Sequence, residues 1–410
     1  MTVHIPSKRS AVLEHALVFA GDLLPYGVVF LMTLMIGYGL GLESAGFFSM
    51  AYVYVAIVTA LVCGPNLLSL RRRMPGAESP GAVVAVALGL RVAVISIGAL
   101  LVMGVLHTTE TQPGMIALIA LLFVGRYLET AVDGPATSVQ YLCGARDYFF
   151  LRLIVFVLIC SITGIGVLTA SGAKLEWIAT FYLIGSTLGI LVALASSRHL
   201  LLPISGLEAE GRAQISDFGK FFLATALFLA ASRLHPLIIG FFYGHEAAGQ
   251  FALVQNLFSV LAVAATVGAG VFFWSRNRKK LGAQILTGVP WRWLAGAIPG
   301  GLALGAAGGV AMDFLFLQPL GSSAELRMVA WLLCLSTPLL MIQSILSNQL
   351  VLLKRDREML MLSAISAAAG LLLIAMLVHN FGLVGAALSV GASAFLSSML
   401  GIIILRRAHE

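Results

Sequence analysis

Apolar residues run through this chain in long unbroken stretches, at about 17–40, 46–70, 82–106, 114–142, 148–170, 177–200, 218–242, 247–274, 292–317, 328–353, 358–378 and 383–405, separated by short polar segments. At 1.5 Å of rise per residue, a helix over any one of them crosses the ~30 Å hydrocarbon core of a bilayer. Strands of a membrane barrel would instead alternate apolar and polar positions over about ten residues. Helices satisfy their own backbone groups, which lipid cannot do. The pattern therefore predicts an all-α polytopic membrane protein of twelve transmembrane helices.

The cations orient these spans, because short cytoplasmic loops collect lysine and arginine. With the N-terminus inside, Lys8, Arg9, Arg71, Arg72, Arg73, Arg146, Arg152, Arg198, Arg212, Lys220, Arg276, Arg278, Lys279, Lys280, Arg292, Lys354, Arg355, Arg357, Arg406 and Arg407 fall on the cytoplasmic side. That is 20 of the 25, with only Lys174 and Arg327 outside and Arg91, Arg126 and Arg233 within spans. A missed or invented span would invert every later loop, so the bias supports twelve spans with both termini cytoplasmic. Trp177, Trp274, Trp291, Trp293 and Trp331 all fall near predicted span ends, where indole prefers the interface.

Composition agrees. Hydrophobic residues make up 60% and charged residues 10% of the 410, against roughly 25% charged in a soluble domain. The net charge of +7 sits in the loops that orient the spans, so it does not point to nucleic acid. Cys63, Cys143, Cys160 and Cys334 are widely spaced in or beside apolar stretches, neither a disulfide framework nor a metal cluster. The stretch after Lys8 and Arg9 is too long for a signal h-region and reads as a retained first span. The sequence contains no phosphate-binding lysine loop, no HExxH and no serine elbow, so an enzyme is not expected, and neither is a bound cofactor.

The longest polar segment, about 198–220, divides the chain six plus six: a first lobe over 1–200, a linker over 201–216 and a second lobe over 217–410. The halves repeat each other. Gly41-Leu-Glu43-Ser-Ala45-Gly46 recurs as Gly244-His-Glu246-Ala-Ala248-Gly249 at an offset of 203, and Arg146-Asp147 recurs as Arg355-Asp356 at 209. Equal topology in both halves implies a parallel repeat, the plan of transporters that carry substrate between two rocking lobes.

On these residues the chain resembles the multidrug/oligosaccharidyl-lipid/polysaccharide (MOP) exporter superfamily and, within it, the Wzx-like polysaccharide flippases. The carrying segments are Gly41 to Ala51, Ser232-Arg-Leu-His-Pro-Leu-Ile-Ile-Gly240 with Gly249-Gln-Phe-Ala252, and Leu352 to Asp356 with Phe381-Gly382-Leu-Val-Gly385-Ala386-Ala387. The resemblance covers essentially the whole chain through short, degenerate motifs. It implies a bacterial inner-membrane flippase of undecaprenyl-pyrophosphate-linked oligosaccharide, monomeric, acting by alternating access. Membrane lipids, a polysaccharide polymerase and glycosyltransferases would be its partners. The chain departs from the resemblance in span seven, where His235-Pro236 stands in place of an acidic residue.

Charges inside spans are costly and mark function or pairing. In span four Arg126, Glu129, Asp133, Thr137 and Gln140 are spaced 3, 4, 4 and 3, which places them on one helix face. Two readings stand: a stripe facing a central cavity, or an internal ion pair of Arg126 with Glu129, and Glu129 against Asp133, tying span four to its neighbours. Gly134-Pro135 interrupts the same helix. Arginine suits phosphate because its planar fork binds two oxygens; Arg126 and Arg233, one from each half, are the pyrophosphate candidates. Arg91 is a further candidate, with snorkelling to the cytoplasmic surface as its other reading. Gln140 and Gln343, with Ser336 and Ser347, suit sugar hydroxyls or interhelical bonds equally. Asp22, Glu129 and Asp133 are candidates for coupling to H+ or Na+. His235-Pro236 reads as a kink with a hydrogen-bonded imidazole, and Asp313, near the outer end of span nine, as solvated.

Three other functions fit parts of the pattern. A cation-coupled drug antiporter of the same superfamily would use Asp22, but intramembrane arginines repel cationic drugs. A major-facilitator carrier shares the six-plus-six plan, yet its acidic-Arg-x-Gly-Arg-Arg loop is replaced by Ser69-Leu-Arg-Arg-Arg-Met-Pro75. A non-transport accessory subunit of polysaccharide synthesis would need no charged internal stripe.

Overall fold

The computed structural model describes residues 8–74, 77–108, 113–170, 174–202, 204–277, 290–353 and 355–407. Arg278, Lys279, Lys280 and Lys354, and the side chain of Arg233, lie outside the described residues. Helices account for the architecture: α1 (Lys8–Leu40), α2 (Leu42–Arg73), α3 (Pro80–Thr108), α4 (Pro113–Ala131), α5 (Asp133–Leu142), α6 (Ala145–Leu168), α7 (Leu175–Leu201), α8 (Leu207–Arg233), α9 (His235–Asn277), α10 (Trp291–Val310) with a π-helical continuation Ala311–Leu317, α11 (Ala324–Leu335), α12 (Thr337–Leu352) and α13 (Asp356–Arg407). No strand occurs among the described residues.

Large apolar side chains lie bare on the helix exteriors, Leu168 at 85% and Leu100 at 74% exposure. Such surfaces are stable only where the solvent is itself hydrocarbon. Ten stretches among the described residues are long and apolar enough to cross a membrane. The last, Arg357–Arg407, is 51 residues long and leaves helical geometry at Gly382 (φ 56°, ψ −134°), between the two spans expected there. The stretch expected as one span over 218–242 is divided: α8 ends at Arg233 and α9 restarts at His235. Pro236 explains the division, since it has no N–H to continue the ladder and its ring clashes with the carbonyl four residues back.

The repeat is visible in the backbone. Gly41 (φ 91°) and Gly244 (φ 85°) both take a left-handed conformation that costs any L side chain roughly 1–2 kcal/mol, and each turns the chain into the next helix. The same offset of 203 separates Pro135 from Pro338, and both break a span. Val132 stands between α4 and α5, and Ser336 between α11 and α12. There the backbone shifts to i→i−3 bonds, Val132 N–H to Glu129 O at 3.3 Å and Ser336 N–H to Leu333 O at 3.0 Å.

By their contacts the residues form two compact units, Met1–Val28 with Tyr54–Phe222, and Val29–Val53 with Leu223–Glu410. In the first, Leu70, Met74, Val83, Val84, Ala87 and Leu201 pack together. In the second, Ala269, Leu294, Ala297, Ile345, Leu346, Leu350, Leu362 and Leu405 form a core. In the second unit, too, the C-terminal part of α1 meets the π-helical segment: Tyr38 donates to Leu315 O, and Phe30 sits edge-on to Phe316 at 5.4 Å.

Candidate functional site

The charged stripe of span four is the centre of the first unit. Arg126 on α4 pairs with Glu129 one turn on, Nη1 to Oε1 at 2.5 Å. Tyr182 of α7 donates its hydroxyl to the other oxygen, Glu129 Oε2. The internal Arg126–Glu129 pair of the second reading is therefore present. Asp133 does not face Glu129 in that pair. It opens α5 and is clamped by two arginines from elsewhere, Arg152 Nη2 to Oδ1 at 2.6 Å and Arg91 Nη1 to Oδ2 at 3.1 Å.

Arg91 is wholly buried in α3, which corrects the snorkelling reading. Its Nε donates to Asn66 Oδ1 at 2.7 Å, its Nη1 also donates to Thr130 O, and Asn66 in turn donates to Ala87 O at 3.2 Å. The break before Pro135 is what frees this part of α4 and α5 to receive a guanidinium. Arg152 corrects the sequence reading as well. Counted among the cytoplasmic cations, it lies inside α6 and is buried. Its guanidinium sits over the ring of Tyr148, 5.4 Å from the centroid, a cation–π contact one helical turn away.

Tyr148 links this cluster to Asp22 of α1. Its hydroxyl donates to Asp22 Oδ1 at 2.5 Å, and Arg71 at the C-terminal end of α2 reaches the same oxygen at 2.6 Å. Gly21 makes room for the ring, because a Cβ there would lie 2.6 Å from Tyr148 Cε1. Asp22, Glu129 and Asp133 thus each face at least one arginine. Arg71, Arg91, Arg126 and Arg152 outnumber them by one. Three buried donors, Arg71 Nε, Arg91 Nη2 and Arg152 Nε, have no hydrogen-bond partner among the described residues. A small cavity of about 20 Å³ lies beside the cluster, lined by Glu129 and Arg152 and by apolar side chains including Leu24, Val28, Val155 and Phe156.

The other candidates are placed apart from these pairs. Gln140 is half-buried on α5 and Gln343 half-buried on α12, in the second unit. They occupy equivalent places in the repeat, 203 residues apart. At that offset Arg126, Glu129 and Asp133 correspond to Val329, Leu332 and Ser336, so the charged stripe belongs to the first half alone. His235 is buried, its Nε2 3.1 Å from Ser389 Oγ and its ring stacked on Phe251 at 6.0 Å. Asp313 is buried, not solvated: both its oxygens accept from Arg327, and Trp331 Nε1 adds a bond at 3.2 Å.

Sequence reasoning missed Arg152, Tyr148, Tyr182 and Asn66. The available signal was spacing: Tyr148 and Arg152 lie a turn apart, and Arg152 sits about 10 Å into its helix.

No protein-family model and no curated protein sequence matches the chain. Solved structures do. The chain resembles the Vibrio cholerae MATE transporter VcmN in its bent form, with a TM-score of 0.66 at 15% identity over 98% of this chain and 96% of that one. It resembles the lipid II flippase MurJ in an inward closed conformation, with 0.68 at 11% identity over 95% and 87%. A MOP-superfamily transporter from Pyrococcus furiosus gives 0.65 at 13% identity over 98% and 95%. The fold is that of MOP-superfamily transporters, all-α and polytopic in the membrane.

Proposed function

We propose that this membrane protein is a flippase that carries undecaprenyl-pyrophosphate-linked oligosaccharide across the bacterial inner membrane, with twelve spans, cytoplasmic termini and alternating access of two lobes. The observation that carries the reading is the charge balance of the first unit. Each of Asp22, Glu129 and Asp133 is already held by arginine, so an organic cation would have to displace a guanidinium to reach a carboxylate. An anion meets the opposite situation: one cation in excess, and three buried guanidinium N–H groups with bonds to give. Removing water strengthens such a preference.

In this reading the arginines of the first unit, with Arg233 from the second half, attract the pyrophosphate, and Gln140 and Gln343 serve sugar hydroxyls. Asp22, Glu129 and Asp133 are the groups through which H+ or Na+ would couple to transport. A polymerase and glycosyltransferases would supply and consume the lipid-linked glycan.

A second reading, a cation-coupled drug antiporter, is favoured by the likeness to MATE transporters, whose TM-score of 0.66 is close to the flippase's 0.68. Proteoliposomes separate the two. Purified protein is expected to move a fluorescent undecaprenyl-pyrophosphate oligosaccharide between leaflets and to leave rhodamine or ethidium where it is. Gradient-driven movement of the dyes, with no flipping of the lipid, would reverse the assignment.

A further inference from the structure

In the second unit α10 and α13 both pack on α12. A Cβ on Gly301 of α10 would lie 2.5 Å from the Cα of Pro338, and one on Gly401 of α13 would lie 3.2 Å from Leu346 Cδ1. Where α10 begins and α13 finishes, the two helices also meet directly. Leu294 and Leu405 share one core cluster, and the Arg406 guanidinium lies over the Trp291 ring, 5.3 Å from its centroid. Arg292 and Arg407 adjoin that pair in sequence, and Trp291 and all three arginines are exposed.

The positive charge gathered here is unanswered. No residue of α10, of α12 or of the stretch 382–407 is acidic, and Glu358, near the start of α13, is engaged by Arg355 at 3.4 Å. None of Arg292, Arg406 and Arg407 has an ion-pair partner among the described residues. A guanidinium resting on an indole face keeps the N–H donors around its edge, so the ring holds Arg406 in place without using up its bonds.

Below the cations the exposed side chains are apolar. Trp291, Ile298 and Leu302 are spaced 7 and 4 on α10, and Met399, Ile403 and Arg406 are spaced 4 and 3 on α13. Helical periodicity puts each set on one face, and every member is exposed. The run from Trp291 to Leu302 is about 17 Å long, close to the ~15 Å depth of a single leaflet. An acidic soluble segment would answer the cations and leave this stripe bare. A zwitterionic lipid would cover the stripe but bring an ammonium group of its own among the arginines. An anionic phospholipid answers both.

We propose that the seam between α10 and α13 binds an anionic phospholipid of the phosphatidylglycerol type. Its phosphate sits among Arg292, Arg406 and Arg407, with Trp291 at the headgroup boundary, and one acyl chain lies along Ile298, Leu302, Met399 and Ile403. The site is apart from the paired charges of the first unit and does not depend on which substrate the protein carries.

Tryptophan fluorescence reads the site. Full-length protein in phosphatidylcholine nanodiscs is given a minor fraction of brominated phosphatidylglycerol or of brominated phosphatidylcholine. The anionic lipid should quench more, and most of the excess should vanish in Trp291→Phe. Arg406→Gln should lower the preference for phosphatidylglycerol about fivefold, the worth of one cation beside an anionic headgroup, and R292Q/R406Q/R407Q should lower it further. R146Q/R198Q/R212Q removes the same charge from exposed positions of the first unit and should leave the preference unchanged. Equal quenching of wild-type protein by the two lipids would overturn the proposal, with no variant needed. Equal loss in the two triple variants would replace the site by a diffuse field and overturn it too. Two copies of the chain per nanodisc, with no excess quenching, would assign the face to a second copy instead. The flippase reading survives each of these outcomes, because movement of lipid-linked oligosaccharide tests it separately.

Discussion

Gly46 and Gly249 meet backbone to backbone, at equivalent places in the two halves of the repeat. A Cβ on residue 249 would lie 2.9 Å from the carbonyl oxygen of Gly46 and 3.0 Å from its carbonyl carbon. Backbone cannot swing aside as a side chain can, so Gly249→Ala should cost the ~1–3 kcal/mol of an overpacked interior. Gly296 on α10 provides the opposite case, with nothing within 4 Å of its absent Cβ. There Gly→Ala should stabilise by about 0.5–1 kcal/mol, since glycine is the poorer helix former. Thermal denaturation followed by size-exclusion chromatography in detergent should show shifts of opposite sign. Equal melting temperatures for Gly249→Ala and wild type would refute the steric argument.

The repeat was legible because its devices are local. A left-handed turn at Gly41 and Gly244 demands glycine whatever surrounds it. Pro135 and Pro338, also 203 apart, were equally readable and mark the broken spans. The stripe from Arg126 to Gln140 was legible too, since helical spacing alone puts it on one face. Its partners were not. A guanidinium inside a membrane is stable when another helix brings a carboxylate or carbonyl to it, and a linear sequence does not record which helix that is. Arg152 and Arg71 lie near span ends, so charge counting assigns them to water, yet they meet Asp133 and Asp22. Asp313 reads as solvated for the same reason, until Arg327 and Trp331 are seen closing over it.

The clamp on Asp133 has a direct consequence for stability. Asp133→Ala removes the one carboxylate between Arg91 and Arg152, both buried. Stranding buried charge costs roughly 3–5 kcal/mol, a large share of a protein's total. The variant should be recovered from membranes at a small fraction of the wild-type amount. Glu208→Gln, on a pair with Arg212 that is about four-fifths exposed, should be recovered at the wild-type amount, as exposed pairs contribute about 0–1 kcal/mol. Similar recovery of both variants would mean that the clamp is not what holds α3, α5 and α6 together.

Coupling to an ion is testable without knowing which carboxylate serves it. If Asp22, Glu129 or Asp133 exchanges its arginine for H+ or Na+ during the cycle, flipping should stop when both gradients are collapsed. Asp22 is the simplest to alter, because the side-chain carbonyl of an asparagine at this position can still accept from Tyr148, while the ionic bond to Arg71 is lost. Asp22→Asn should therefore fold and lose its response to an imposed gradient. Flipping at the full rate with neither gradient present would exclude all three as coupling groups.

Arg126 poses the sharpest choice between structure and transport. Removing it alone is uninformative, because Arg126→Ala leaves Glu129 buried against the Tyr182 hydroxyl without its guanidinium, and lost export would follow from lost folding. Replacing both members, Arg126→Leu with Glu129→Leu, removes the pair without stranding a charge, a change that is often neutral or stabilising by about 1–4 kcal/mol. The double variant should fold. If Arg126 is committed to Glu129, it should also flip lipid-linked oligosaccharide within a few-fold of the wild-type rate. A folded double variant with no flipping would put Arg126, or the Glu129 beside it, back in the transport cycle, and would make the ion pair a resting state rather than a structural bond.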